Sequence, residues 1–365
     1  MYKGLVLDAP KIGKKEKEYL DRSIDSGYVS TAGPFMLEFE RRFGAYHNNA
    51  VAVATQSGTA ALHVCLHELG IGPGDEVIVP ALTFIATINP ILYCGARPVF
   101  VDVDRDTWNI DPEKIRKSVT KRTKAVIPVH IYGNPCEMDE IMDIAKKNGL
   151  YVIEDATESL GAAYRGKKTG TFGDLGCFSF NGNKIITTGG GGMVIGRNKK
   201  RLSHIKFLVN QAREESKGYY HPEVGFNYRM TNIEAAMGLA QLSQLDEFLK
   251  TKKTFNVIYK RELKNIPSVR LQKEYAGAKS SYWMNCVCLE ECSDIPKLQA
   301  GLLRKNIPTR RVFQPANDFP PYKRCKSFSL DNSREIFNRS LCLPSSVLNS
   351  EKGIRYVCDT LKDLL

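Results

Sequence analysis

Lys184 stands just before a run of four glycines, in the stretch Cys177-Phe178-Ser179-Phe180-Asn181-Gly182-Asn183-Lys184-Ile185-Ile186-Thr187-Thr188-Gly189-Gly190-Gly191-Gly192. Upstream, Tyr151-Val152-Ile153-Glu154-Asp155 ends in acid, and farther upstream lies a small-residue turn, Ser57-Gly58-Thr59-Ala60. An amine, a carboxylate and a phosphate-binding turn are what an enzyme needs to hold pyridoxal phosphate (PLP). The amine takes up the aldehyde and later moves a proton. The carboxylate keeps the ring nitrogen protonated, which makes the ring an electron sink. A free lysine has a pKa of about 10.4 and is a poor base at neutral pH. Burial or nearby positive charge must bring that value down.

The supporting residues follow the same logic. Ser57-Gly58-Thr59 should follow a strand and open a helix, whose free N–H groups suit a phosphate. Gly58 permits close backbone approach, and Thr59 adds a hydroxyl. An ordinary turn with Ser57 as N-cap is the alternative. Ser179, at a strand end, is a second candidate phosphate ligand. Asp155 would point into a crevice, with Glu158 about one turn on. A solvated strand end is the other reading of Glu154 and Asp155. Phe84 would stack on the ring or sit in the core.

Elements must bring these groups together. Between residues 50 and 200, β-branched runs alternate with helical or turn segments. The runs are 50–54, 76–79, 98–102, 125–129, 151–153, 177–180 and 193–195. This predicts an α/β fold: a mostly parallel, seven-stranded sheet flanked by helices. Ligands of such sheets bind beyond the carboxyl ends of the strands. Helices are expected over 60–69, over 139–148 ending at Gly149, and from Asn232 through Leu245. Thr231 and Glu234 form a capping box for the last of these. The lysine-rich segment 250–253 should carry the chain out. The predicted division is a large domain over 1–248 and a smaller α+β domain over 249–365. In the latter, a strand is expected within 282–289 and helices over 295–305 and 351–364.

The chain has 365 residues, of which 42% are hydrophobic and 25% charged, as in globular proteins. Its net charge of +12 suits an anionic small molecule. No basic segment is interleaved with aromatics, so nucleic acid is not expected. No apolar run approaches membrane-spanning length and no signal peptide is readable, so a cytoplasmic protein is expected. The ten cysteines lack C-x-x-C spacing and read as buried free thiols. His63 and His67 share a helix face without a third ligand, and no metal is expected.

At this point the residues resemble the DegT/StrS-type nucleotide-sugar aminotransferases, which have the fold type I PLP-dependent transferase architecture. The resemblance covers nearly the whole chain. It rests on Ser57 to Leu62, Gly72 to Val77, Pro128 to Pro135, Glu154 to Gly161, Gly170 to Gly173, the Lys184 segment, and Gly225 to Met230. It implies that Lys184 holds the cofactor aldehyde. Asp155 would pair with the pyridine nitrogen, and Glu158 would lie beside the ring. Phe84 would stack on the cofactor, and Gly58, Thr59 and Ser179 would hold its phosphate. Asn227 would reach the phosphate of a neighbouring subunit, making the site a property of a homodimer.

The resemblance is closest to the subgroup that aminates C4 of UDP-linked 4-keto-6-deoxy-N-acetylhexosamines. Glutamate would be the amino donor, and pyridoxamine phosphate the alternate cofactor form. Tyr28, Arg229, Arg310 and Arg311 are expected to bind substrate, the arginines facing its diphosphate. Arg229 alternatively fixes the loop before its helix. Where the family often has Arg-Pro-Leu-Trp-Lys-Pro-x-His, this chain has Arg310-Arg311-Val312-Phe313-Gln314-Pro315-Ala316-Asn317, which leaves the sugar open. Alternatives are a non-acetamido 4-keto-6-deoxyhexose on dTDP, GDP or UDP, a PLP-dependent sugar dehydratase, and a non-catalytic binding module. The dehydratase chemistry replaces the lysine by histidine, and Lys184 argues against it.

Overall fold

The seven β-branched runs form strands of one sheet in the computed structural model, which describes residues 4–290 and 294–365. In spatial order the strands are Val51–Thr55, Gly192–Gly196, Leu175–Ser179, Tyr151–Asp155, Thr123–Val126, Glu76–Pro80, Arg97–Val101 and Lys326–Ser327. Only the two pairings made by Gly192–Gly196 are antiparallel. The sheet therefore has eight strands rather than seven. The eighth comes from the C-terminal part of the chain, with Lys326 opposite Val99 and Ser327 opposite Phe100. Two backbone-paired residues at a sheet edge need no side-chain pattern, so sequence periodicity does not announce them. Apolar clusters cover both faces of the sheet. The ends of Tyr151–Asp155 and Leu175–Ser179 place Asp155 and Ser179 at the same rim.

Helix ends follow their caps. Helix Gly58–Glu68 starts where Ser57 Oγ accepts the Ala60 N–H at 3.0 Å. Helix Met138–Asn148 ends on Gly149 at φ 63°, a left-handed conformation that glycine adopts without strain. Helix Asn232–Leu242 carries the full Thr231–Glu234 capping box.

That helix does not run through Leu245 as expected. It stops at Leu242, turns at Ser243-Gln244, and a new helix spans Leu245–Leu263. The turn is tight, with Gln244 N–H bonded to the Gln241 carbonyl at 3.0 Å. It keeps the apolar positions in phase, so spacing alone conceals the break. The lysines of 250–253 lie inside this second helix rather than in a connector. The boundary expected at 248/249 falls in it too. Lys252 is buried, and its Nζ donates to the carbonyls of Trp283 (3.1 Å) and Ser345 (2.8 Å).

A four-stranded antiparallel sheet follows, in the order Val269–Leu271, Asn285–Leu289, Ser340–Leu343, Arg310–Arg311. Helices Leu245–Leu263, Ile295–Arg304 and Glu351–Leu364 share a separate core with it. The start of the chain folds onto this unit: Val6 N–H bonds to Asn349 Oδ1 at 2.8 Å, and Ser345 N–H to the Leu7 carbonyl at 2.7 Å. The cysteines among the described residues are free thiols. No helix among the described residues is long and apolar enough to cross a membrane.

Candidate active site

A cavity of about 390 Å³ opens at the rim where Asp155 and Ser179 end their strands. Gly58, Thr59 and Ser179 line it, at the N-terminus of helix Gly58–Glu68. A Cβ on Gly58 would stand 2.9 Å from Ser179 Cβ and 3.1 Å from Thr157 Cγ2. Glycine thus lets the helix start and the strand end close into one cradle, with free N–H groups facing it.

Lys184 and Glu158 meet in the same cavity, Nζ to Oε1 at 3.7 Å. Trp283 covers the amine, its ring centroid 4.0 Å from Nζ. Burial lowers the lysine pKa, while Glu158 and Asp155 pull it back. Burial also raises the Glu158 pKa against the opposing effect of Lys184. Desolvation disfavours charge on both partners.

Asp155 is buried and held from two sides. Thr87 Oγ1 donates to its Oδ2 at 2.7 Å, and Thr157 N–H donates to Oδ1 at 3.1 Å. Glu154, next to it, is no solvated strand end. It is fully buried and accepts from His130 Nε2 (3.0 Å) and the N–H groups of Gly170, Phe172 and Gly173. Cys136 N–H donates to His130 Nδ1, so the imidazole proton sits on Nε2. This network fixes the strand end from which Asp155 projects.

These residues fit PLP. An amine, a buried carboxylate and a glycine-tightened cradle share one cavity of the right kind. Lys184 would hold the aldehyde, Asp155 the ring nitrogen, and Gly58, Thr59 and Ser179 the phosphate. Phe84 lines the cavity at 53% exposure, an open aromatic face available for stacking.

Four predicted substrate or cofactor residues do not line this cavity in their own chain. Arg311 is a correction. Adjacent strand residues point to opposite faces, so Arg310 lines the cavity while Arg311 turns away. Its Nη2 donates to the Phe337 carbonyl at 2.6 Å, and its guanidinium lies 4.4 Å from the Phe337 ring centroid. Tyr28 is half exposed, and its carbonyl accepts from Ser23 and Asn232. Arg229 pairs with Thr55 in an isolated bridge and its Nε meets Met36 Sδ at 3.3 Å. Asn227 is exposed and bridges to Asn210.

Other residues at the site are given no role by the sequence reading. Thr87, Trp283 and Phe313 line the cavity. Tyr132 adopts φ 55°, which aims its N–H at Glu158 Oε2, 2.8 Å away. A bulky residue in that region is strained and needs surrounding support. Tyr132 stacks on Phe313 (5.2 Å) and Trp283 (6.2 Å). The Tyr-Gly pair within Pro128 to Pro135 is the one signal that could have found it.

The profile of the DegT/DnrJ/EryC1/StrS aminotransferase family matches residues 10–362. A GDP-perosamine synthase from Escherichia coli O157:H7 is 40% identical, over 97% of this chain and 96% of its own. A GDP-perosamine synthase from Caulobacter vibrioides is 41% identical, over 98% and 97%. Among solved structures, a putative sugar aminotransferase from Streptococcus pneumoniae in its PMP form superposes with a TM-score of 0.95. It is 25% identical, covering 99% of this chain and 97% of that one.

Proposed function

The chain belongs to the DegT/DnrJ/EryC1/StrS aminotransferase family, and from that premise we propose that it aminates C4 of a nucleotide-linked 4-keto-6-deoxyhexose. It is a PLP-dependent enzyme of the nucleotide-sugar aminotransferase kind. The substrate is our reading. Perosamine is a 4-amino-4,6-dideoxyhexose, and two relatives at 40% and 41% identity carry that name. A GDP-linked hexose therefore moves ahead of the UDP-linked N-acetylhexosamine that the sequence motifs favour. The second stays in view because of Glu158 and the stretch from Phe180 to Thr188.

One observation carries the chemistry: Lys184 and Asp155 line the same cavity. PLP, when bound, supplies the electron sink. Lys184 Nζ would move a proton between the substrate carbon and the cofactor carbon, once with the donor bound and once with the sugar bound. Its depressed pKa makes the free amine available nearer neutral pH. Asp155 would keep the ring nitrogen protonated, its carboxylate held by Thr87 and Thr157. Glutamate would be the donor. Asn227, off the cavity of its own chain, would complete the phosphate site of a second copy in a homodimer. Tyr28 would join the substrate only across that interface. A cytoplasmic location belongs to the same proposal.

The test is product detection by mass spectrometry. The enzyme, PLP and glutamate are given a panel of GDP-, UDP- and dTDP-linked 4-keto-6-deoxy sugars. Amino sugar from the GDP substrate at the highest kcat/KM is the expected result. Preference for the UDP N-acetyl substrate selects the second reading. No amine from any of them overturns both.

A further inference from the structure

The N-terminal strap brings the Asp8 carboxylate against two residues that line the site, Arg310 and Asn183. Asp8 Oδ2 accepts from Arg310 Nη1 at 3.0 Å and from Asn183 Nδ2 at 3.2 Å. Asn183 precedes Lys184, and its carbonyl accepts from Trp283 Nε1 at 2.7 Å. The strap is fastened on both sides of Asp8. Leu7 O receives the N–H groups of Ser345 and Ser346, and Ala9 O receives Ser346 Oγ. Arg310 Nη2 is shielded from water and has no partner. A guanidinium with one arm tied and one buried arm free is prepared for a second anion.

Two anions compete for that assignment. Sequence expectation gives Arg310 the diphosphate of the sugar nucleotide. Its position favours the amino donor. Lys184 Nζ lies 4.0 Å and Arg310 Cζ 6.0 Å from the same Trp283 ring centroid. The α-carboxylate of an amino acid is bonded directly to the carbon that Lys184 serves. In a nucleotide sugar, C4 and the diphosphate are separated by the width of the pyranose ring. Both cations line the cavity and pack against one indole, so a carboxylate adjoining the reacting carbon meets the guanidinium on the same wall.

The site must accept two unlike occupants in turn: a dicarboxylate donor and a keto sugar whose reacting end is uncharged. We propose that Asp8 is a specificity-setting residue that balances Arg310 between them. With the sugar in place, Asp8 keeps the guanidinium partnered. With the donor in place, Nη2 takes the α-carboxylate while Nη1 stays on Asp8. The two carboxylates then share one cation and repel, so Asp8 weakens donor binding and allows the 2-keto acid to leave. Asp8 touches neither reacting carbon. It acts through Arg310.

This rests on the aminotransferase reading above, and half-reactions separate the two. Asp8→Asn keeps the shape and an acceptor oxygen but removes the charge. PLP-loaded enzyme is mixed with glutamate alone and its absorbance followed. In Asp8→Asn, KM for glutamate should fall by about fivefold, the scale of one partly exposed charge pair. KM for the keto sugar should stay within about twofold. Succinate, a dicarboxylate without an amine, should bind the variant more tightly by the same factor in calorimetry. Asp8→Glu should restore the wild-type values, and Arg310→Gln should abolish the gain. Asp8→Ser reads the same charge loss if Asp8→Asn does not fold. An unchanged glutamate KM, or a gain confined to the nucleotide sugar, overturns the inference. Wild-type enzyme whose absorbance glutamate does not bleach fails the aminotransferase reading instead.

Discussion

Thr87 donates to Asp155 Oδ2 at 2.7 Å and is itself bonded to Thr83 Oγ1 at 2.9 Å, both threonines being buried. A hydrogen bond to a charged group is worth about 1.5–3 kcal/mol. Thr87→Val keeps the shape and removes the donor. It should lower kcat by roughly tenfold or more, with KM for both substrates little changed. The pH transition of the cofactor absorbance should move, because the carboxylate facing the ring has lost a partner. Thr87→Ser should recover most of both. A valine enzyme with unaltered kcat and spectrum would remove Thr87 from the site. Lys184 and Asp155 were legible because each ends a recognisable strand or precedes a glycine run. Thr87, Trp283 and Asp8 were not. Their partners lie 68, 99 and 302 positions away along the chain, and only the fold makes them neighbours.

The phosphate cradle depends on how closely a helix start approaches a strand end. Gly58→Ala would put a methyl group 2.9 Å from Ser179 Cβ, so helix Gly58–Glu68 or strand Leu175–Ser179 must shift. PLP affinity should fall by about tenfold or more, as expected for overpacking that costs roughly 1–3 kcal/mol. Equilibrium dialysis against PLP measures it, and an unchanged Kd would show that the cradle is looser than drawn. Thr231→Ala, by contrast, should cost about 1 kcal/mol of stability in a denaturant melt through loss of the capping box. Both caps could be read from sequence, because capping is local chemistry between residues three apart. The break at Ser243-Gln244 could not be read, since a turn that preserves the phase of buried leucines leaves the spacing intact. The edge strand Lys326–Ser327 escaped for a related reason: backbone pairing alone defines it.

At the scale of the whole molecule, the eight-stranded and four-stranded sheets are joined by helix Leu245–Leu263, and a buried cation sits on it. Lys252 ties that helix to the carbonyls of Trp283 and Ser345. Trp283 covers Lys184, and Ser345 holds the N-terminal strap. In sequence the lysine-rich run reads as carrying the chain out of the large domain, because composition does not tell which member of the run faces inward. Burial lowers the Lys252 pKa to about 8, with Asp8 opposing. An unfolded lysine titrates near about 10.4. Below about pH 8 both states hold the proton, and the cost of burying the charge is constant. Between about 8 and 10.4 the unfolded chain binds more protons than the folded one, so this group makes stability rise with pH. Lys252→Met removes that dependence. It also leaves two carbonyls without their donor, a loss of about 1–3 kcal/mol each that does not vary with pH. The stability of wild type minus that of the variant should therefore grow from pH about 7 to about 10, by roughly 3 kcal/mol at most. Urea melts of both proteins at the two pH values measure it, other titrations cancelling in the difference. A difference that is flat, or that shrinks as pH rises, would mean that Lys252 is solvated and that this seam between the sheets is open to water.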